Sequence, residues 1–236
     1  MSDLYEAYNE IYPVYDRVTN AVTFGLANRW RRLALTYGLS MANGALLRVL
    51  DAGSGMGSMS RELLSMVYVR HIVLLDQSLN MLKRAIRGVN IDVVCGSFEK
   101  APFRDLSFNM VLMGFSLHAS TNVEEASCEV GRVLKPGGIL ASVNIGKPDN
   151  PVLRALGWLY TAVAIPLITL FTGGPRYVKY FYGIHEIYVR LKVNRMFKDM
   201  VAKCLKVAAF KTKALGMVNI LVAVKGNGPS PSDDEG

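Results

Sequence analysis

Gly53, Gly55 and Gly57 stand at alternate positions after an apolar run that ends in an acid, Val49-Leu50-Asp51-Ala52. A helix-patterned stretch follows, and a second apolar run, Leu74-Leu75, ends in Asp76. Glycine lets a backbone approach a ligand where a Cβ would collide, and a carboxylate at a strand tip can accept hydrogen bonds from both hydroxyls of a ribose. Strand, glycine turn, helix, strand and acid together describe a βαβ nucleoside site. The ligand is therefore expected to carry a ribose.

The pyrophosphate fingerprint G-x-G-x-x-G requires a third glycine where this chain has Ser58. The G-x-G-x-G spacing suits S-adenosylmethionine (SAM), whose ribose is joined to its amino acid through a sulfonium and not a diphosphate. A glycine turn by itself can also serve plain strand-to-helix packing, and Asp76 in register after the second apolar run weighs against that reading.

Apolar periodicity and turn residues set out the elements that must position these groups. Strands are predicted at Arg48–Asp51, His71–Asp76, Ile91–Cys95, Phe108–Gly114 and Ile139–Ile145. Helices are predicted near Met59–Met66, Leu79–Arg87 and Val123–Val133, with a turn at Gly137-Gly138. Such alternation implies an α/β, Rossmann-like fold: a seven-stranded, mostly parallel sheet with helices on both faces and its ligand site beyond the carboxyl ends of the strands. That puts Gly53, Asp76, Ser97, Gly114 and His118 at one mouth. The first 45 residues read as a helical segment, and about 148–192 as a helical lid insertion. A helix near Val193–Lys206 and a closing hairpin, Phe210–Leu215 with Asn219–Lys225, complete the domain at residue 226, and 227–236 read as a disordered tail. Tyr5, Tyr8, Tyr12 and Tyr15 recur at near-helical spacing, although Pro13 should break any helix there.

At 236 residues one α/β domain is expected. Cys95, Cys128 and Cys204 form neither a C-x-x-C pair nor an even framework, so they read as ordinary small buried residues in a reducing, cytoplasmic setting without a zinc site. The polar, acidic start is unlike a signal peptide. The net charge of +8 is concentrated between Arg176 and Lys213, where ten Lys or Arg face Glu186 and Asp199. Ala155–Pro175, just before it, carries no charge. Pro166 and three glycines argue against a membrane span there. A surface-lying or lid segment beside cations, suited to an anionic membrane, is the preferred reading, with a buried helix as the plainer alternative. Nucleic acid ranks below both, since no RNA-binding motif accompanies the charge.

Four stretches carry a family resemblance: Tyr15-Asp16-Arg17-Val18-Thr19 through Trp30; Leu50-Asp51 with the glycine turn; Glu99-Lys100-Ala101-Pro102-Phe103 to Ser107-Phe108; and Arg132-Val133-Leu134-Lys135-Pro136-Gly137-Gly138. Through them the chain resembles the class I SAM-dependent methyltransferases, and among these the C-methyltransferases of ubiquinone and menaquinone biosynthesis. The Y-D…W opening, the Lys147-Pro148 to Asn150-Pro151 step and the apolar lid with its tyrosines point to the quinone branch.

The resemblance implies cofactor contacts at Met56, Asp76, Ser97-Phe98 and Gly114, to which the strand-turn reading adds Asp51, Gly53, Gly55 and Gln77. Only Asp76 keeps the family's residue type, since Thr is usual at Met56 and Ser at Gly114. His118-Ala119 stands in place of an Arg-Asn pair, and Asn144 and Gly146 replace a Glu and a Ser. Methylating a ring carbon requires an electron-rich ring, such as a hydroquinone losing a proton. His118, with a reference pKa near 6.5, is the candidate base or orienting group, and His185 reads as structural. Tyr15, Asn144, Tyr177 and Tyr180 are candidate acceptor contacts. The expected reaction is C-methylation of a prenylated quinol with SAM as cofactor. A methyltransferase acting on another lipid or small molecule and a non-catalytic SAM-fold subunit are the alternatives.

Overall fold

The computed structural model describes residues 10–42, 44 and 47–226. Tyr5, Tyr8 and the expected tail 227–236 lie outside the described residues. The sheet comprises β1 (Val49–Ala52), β2 (Ile72–Asp76), β3 (Ile91–Cys95), β4 (Phe108–Gly114), β5 (Leu134–Ile145), β6 (Lys206–Lys213) and β7 (Val218–Val224). Their order is β3-β2-β1-β4-β5-β7-β6, and only β7 runs against the others. Before the sheet come α1 (Tyr15–Val22) and α2 (Ala27–Leu39). The crossovers are α3 (Ser58–Leu64), α4 (Leu79–Lys83) and α5 (Val123–Val133). Between β5 and β6 lie α6 (Pro151–Leu159), a π-helical turn (Tyr160–Ala164), α7 (Ile165–Thr172), α8 (Pro175–Phe181), α9 (Gly183–Arg190) and α10 (Asn194–Ala202).

Period-two alternation sends successive strand residues to opposite faces, and the central strands obey it throughout. Val49, Ile72, Leu74, Met110 and Leu112 join α2 and α3 in one core layer. Leu50, Val73, Leu75, Val111 and Met113 join α5 and α10 in the other. A third apolar cluster lies off the sheet: Ile11, Val14 and Val18 pack with Met81 of α4 and with Ile165, Tyr177 and Phe181 of the insertion. The N-terminal segment and the insertion thus form one cover, and Pro13 interrupts the helix before α1 as its ring requires.

Several expected boundaries shift. β5 begins at Leu134 and passes through Gly137-Gly138 as an irregularity, pairing with Phe108 and resuming opposite Met110 at Ile139. A Cβ on Gly138 would lie 2.7 Å from the Lys135 carbonyl oxygen, so the bulge needs glycine. Helix α4 ends four residues early because Arg87 turns back to donate to the Leu82 carbonyl at 2.8 Å. The cysteine reading is overturned. Cys128 on α5 and Cys204 after α10 are joined as a disulfide across 76 residues, because α5 and α10 pack side by side, and Cys95 is exposed. Cysteine usage therefore gives no support for a reducing compartment.

Candidate active site

The turn after β1 is shaped by two neighbours. Gly53 has φ +71°, and a Cβ there would lie 2.4 Å from that of Ser116, whose hydroxyl donates to the Ala52 carbonyl at 2.7 Å. The loops after β1 and β4 are in direct contact, which only glycine permits. Gly55, at φ +54°, has nothing within 4 Å of a notional Cβ: it faces open space. Its N–H donates to Asp76 Oδ2 at 2.7 Å, while Ser78 N–H donates to Oδ1 at 2.8 Å. These amides orient the carboxylate, and each oxygen retains a lone pair for a ribose hydroxyl. Burial raises the Asp76 pKa, opposed by the amides of Ser78, Gly55 and Gln77.

The resulting cleft, about 130 Å³, is walled by Asp51, Gly53, Gly55, Met56, Asp76, Gln77, Phe98 and Gly114, with Tyr15 and Arg31 closing it from the N-terminal helices. Of the expected cofactor residues only Ser97 is off the wall. Its hydroxyl accepts from Gln77 Nε2 at 3.2 Å and Glu99 N–H at 3.1 Å, so it supports the wall from behind.

Among the described residues, four buried side-chain polar atoms have no hydrogen-bond partner: Arg31 Nε, Asp51 Oδ1, Ser54 Oγ and Asn144 Oδ1. The first three belong to residues of this one cleft. Each such atom costs about 1–3 kcal/mol unless a ligand satisfies it. Asp51 is fully buried, its Oδ2 accepts from Ser60 N–H at 3.1 Å and Ser60 Oγ–H at 2.6 Å, and desolvation pushes its pKa up to about 6. Arg31 is 5% exposed, donates to Asn28 Oδ1 at 2.6 Å and lies 5.3 Å over the Phe115 ring. A buried cation and a buried acid with unused valences suit the two ends of an α-amino acid zwitterion. With Asp76 for the ribose and Phe98 for the purine face, the residues fit SAM.

The sequence reading missed Arg31. The available signal was periodicity: Ala27, Trp30, Arg31, Ala34, Leu35 and Gly38 share the buried face of α2, and Arg31 is its one charged member.

Tyr15 and Phe115 also line a second cavity, of about 320 Å³. Trp30, Ile145, Ile165, Phe181 and Ile184 form much of its wall, and no Lys, Arg, Asp or Glu lines it among the described residues. Tyr15 and Tyr180 are on this wall, as is His118. His118 Nδ1 accepts the Ile145 N–H at 3.4 Å, which assigns the ring hydrogen to Nε2, and burial pulls its pKa down to about 4 against a smaller upward pull from Asn144. Burial thus favours the neutral ring and makes it a weaker proton acceptor than the reference value near 6.5 implies.

Asn144 and Tyr177, both expected to touch the acceptor, are on neither wall. Asn144 is fully buried in the sheet, donating to Ser142 Oγ at 2.8 Å and Asn219 Oδ1 at 3.1 Å, because β7 pairs beside it. Tyr177 turns inward to the cluster around Val18 and Phe181. His185 bonds Thr161 Oγ1 at 2.9 Å and ties α9 to the π-helical turn.

A sheet of this order, with Asp51, Asp76 and the nearby Arg31 placed to suit the amino acid and ribose of SAM, fits the class of SAM-dependent methyltransferases. Solved structures share the fold. The putative methyltransferase of Haloferax volcanii, solved with the Trm112 activator, matches with a TM-score of 0.63 at 14% identity over 93% of this chain and 98% of that one. A SAM-dependent methyltransferase from Aquifex aeolicus matches with a TM-score of 0.56 at 16% identity, over 81% and 89%. The model of the ubiE/COQ5 methyltransferase family matches residues 2–225, and the chain belongs to that family. Relatives include the demethylmenaquinone methyltransferase of Roseiflexus sp. (strain RS-1), 30% identical over 68% of each chain. That of Desulfitobacterium hafniense (strain Y51) is 28% identical over 92% of this chain and 87% of its own length. The ubiquinone/menaquinone biosynthesis C-methyltransferase UbiE of Ectopseudomonas mendocina (strain ymp) is 32% identical over 69% and 65%.

Proposed function

We propose that this methyltransferase acts on a ring carbon of a prenylated quinol, of the demethylmenaquinone or ubiquinone-precursor kind, collected at the inner face of a membrane. The observation that carries the reading is the adjacency of the two cavities: a cleft suited to an amino acid and a ribose and an uncharged, apolar chamber share Tyr15 and Phe115 as common wall. Bound SAM supplies a methyl group activated by its sulfonium. The protein contributes alignment and water exclusion. Ile11, packed with Val14 and Val18 against Ile165 and Phe181, closes one wall of the chamber. Tyr15 and His118 supply polar contacts at the wall for a ring hydroxyl. Burial raises the Tyr15 phenol pKa, so the hydroxyl stays protonated.

The insertion supports collection at a bilayer. Pro151–Thr172 form one 22-residue helix, apolar and long enough to cross a membrane by length and composition. One side of it is docked: a Cβ on Gly157 would lie 2.4 Å from Tyr188 Oη, and Thr161 bonds His185. Leu156, Trp158, Leu159, Leu167 and Phe171 are exposed. A docked helix with an apolar outer side, followed by Arg176, Lys179 and Arg190, suits an anionic surface better than a span.

The test is incubation of extracted membrane lipids with methyl-labelled SAM. Label in the quinone fraction is expected. Label confined to other lipids would favour the alternative acceptor, to which the loss of the Arg-Asn pair at His118-Ala119 points.

A further inference from the structure

The chamber that the preceding reading assigns to the acceptor has an unusual rim. Among its wall residues only Phe24, in the α1–α2 turn, and Ala214 and Leu215, in the β6–β7 turn, are exposed, so the chamber wall reaches the surface at these two turns. Phe24 is 73% exposed and Leu215 is 70% exposed. All three have left-handed backbone, with φ of 51°, 47° and 56°. Five non-glycine residues with positive φ occur in the described chain, and four of them, these three and Phe115, line this chamber. For bulky side chains that conformation is an outlier, held only where the surroundings enforce it, and such outliers gather at ligand sites.

The surroundings do enforce it. Gly25 N–H donates to the Asn20 carbonyl at 2.8 Å and Thr23 Oγ1 to the Thr19 carbonyl at 2.6 Å. At the other turn, Asn194 Nδ2 donates to the Gly216 carbonyl at 2.7 Å, and Asn194 Oδ1 accepts from buried Asn219 at 3.2 Å. Glycine would relax either turn, so the rim side chains contribute apolar surface and not conformation. Phe24 also leans on Tyr160, its ring centroid 6.3 Å away, at the π-helical turn of the cover.

A chamber of 320 Å³ is at the small end of ligand pockets, which run from about 300 to 1,000 Å³. It takes a ring and leaves a long tail to exit through this rim. We propose that Phe24, Ala214 and Leu215 form a portal that grips the isoprenoid tail of the acceptor where it passes from bilayer to chamber. This rests on the chamber being the acceptor site.

The test uses the full chain with Trp158→Phe, so that Trp30 in the chamber wall reports occupancy, with and without Phe24→Gly and Leu215→Gly together. Glycine suits both backbones, so folding is preserved. Two probes are titrated from phosphatidylcholine vesicles: a quinol with a long polyprenyl tail and the same ring with one prenyl unit. The rim variant is expected to bind the long-tailed probe about tenfold more weakly, while the one-prenyl probe and SAM stay within about twofold. Equal weakening of both quinols, weakening of neither, or no Trp30 response to the long-tailed probe before the rim is altered would overturn the portal. Methyl transfer is scored separately: failure to methylate either quinol counts against the proposed substrate, and the binding comparison still decides the portal.

Discussion

Asp51→Asn should make the protein more stable and a worse SAM binder. The carboxyl is fully buried and its pKa is pushed from 3.8 up to about 6, chiefly by desolvation. An acid whose folded pKa exceeds its unfolded one holds its proton more tightly when folded, so folding stability declines as pH climbs from about 4 to about 6 and stays reduced above that. At 1.36 kcal/mol per pH unit the penalty at pH 7.5 is roughly 3 kcal/mol. The amide mimics the neutral acid: its oxygen can keep both Ser60 bonds, and the second position has no protein partner in either case. The variant should therefore gain up to roughly 3 kcal/mol without ligand, or about 6–12 °C in Tm for a domain of this size. It should also lose the charge-assisted bond to the ligand ammonium, about 1.5–3 kcal/mol, or roughly 10- to 150-fold in Kd. Thermal unfolding at pH 4 and pH 7.5 reads the first effect, which should vanish at the lower pH. Calorimetric titration with SAM and with methylthioadenosine, which lacks the amino-acid end, reads the second. No Tm gain at pH 7.5, or an equal loss of affinity for both ligands, would refute the assignment of Asp51.

Arg31→Met should weaken SAM by a similar factor, roughly 10- to 150-fold, leave methylthioadenosine nearly unchanged, and be partly rescued by Arg31→Lys; calorimetry of the three proteins checks it. Replacing His118 with Gln should remove an opposite pH trend. A histidine lowered from 6.5 to about 4 contributes stability above pH 6.5 that drains away as pH falls toward 4, so the variant should lose less stability on acidification, by up to roughly 3 kcal/mol, in denaturant melts at pH 4 and 7. Its kcat should drop while SAM affinity holds, since His118 lines the acceptor chamber and not the cofactor cleft. Reducing the Cys128–Cys204 bond, or Cys128→Ser, should cost about 2–4 kcal/mol in chemical denaturation by freeing a 76-residue loop in the unfolded chain, and an unchanged midpoint under dithiothreitol would count against the bond.

Much of the cofactor side was readable from the chain alone because it depends on local rules. The glycine turn must follow a strand, Asp76 must end the next one, and strand alternation set the two faces of the sheet. The order of elements in the first 145 residues follows, as does the hairpin that closes the sheet. Boundaries drifted where tertiary pairing outweighed propensity: β5 starts five residues early because Leu134 finds Phe108 across the sheet.

What sequence pattern could not deliver is convergence between distant residues. Arg31 and Asp51 are 20 positions apart, on a helix and a strand that meet only once α2 packs on the sheet, and their unsatisfied valences exist only because that packing removes water. Asn144 and Tyr177 had suitable chemistry, but β7 covers the first and the N-terminal segment buries the second. The two cysteines meet by the docking of α5 and α10. Residue type and spacing determined the nucleoside half of the site, since that geometry is made by neighbours along the chain. The pairing of Arg31 with Asp51, the apolar chamber and its rim came from the packing of elements from 20 to nearly 200 residues apart.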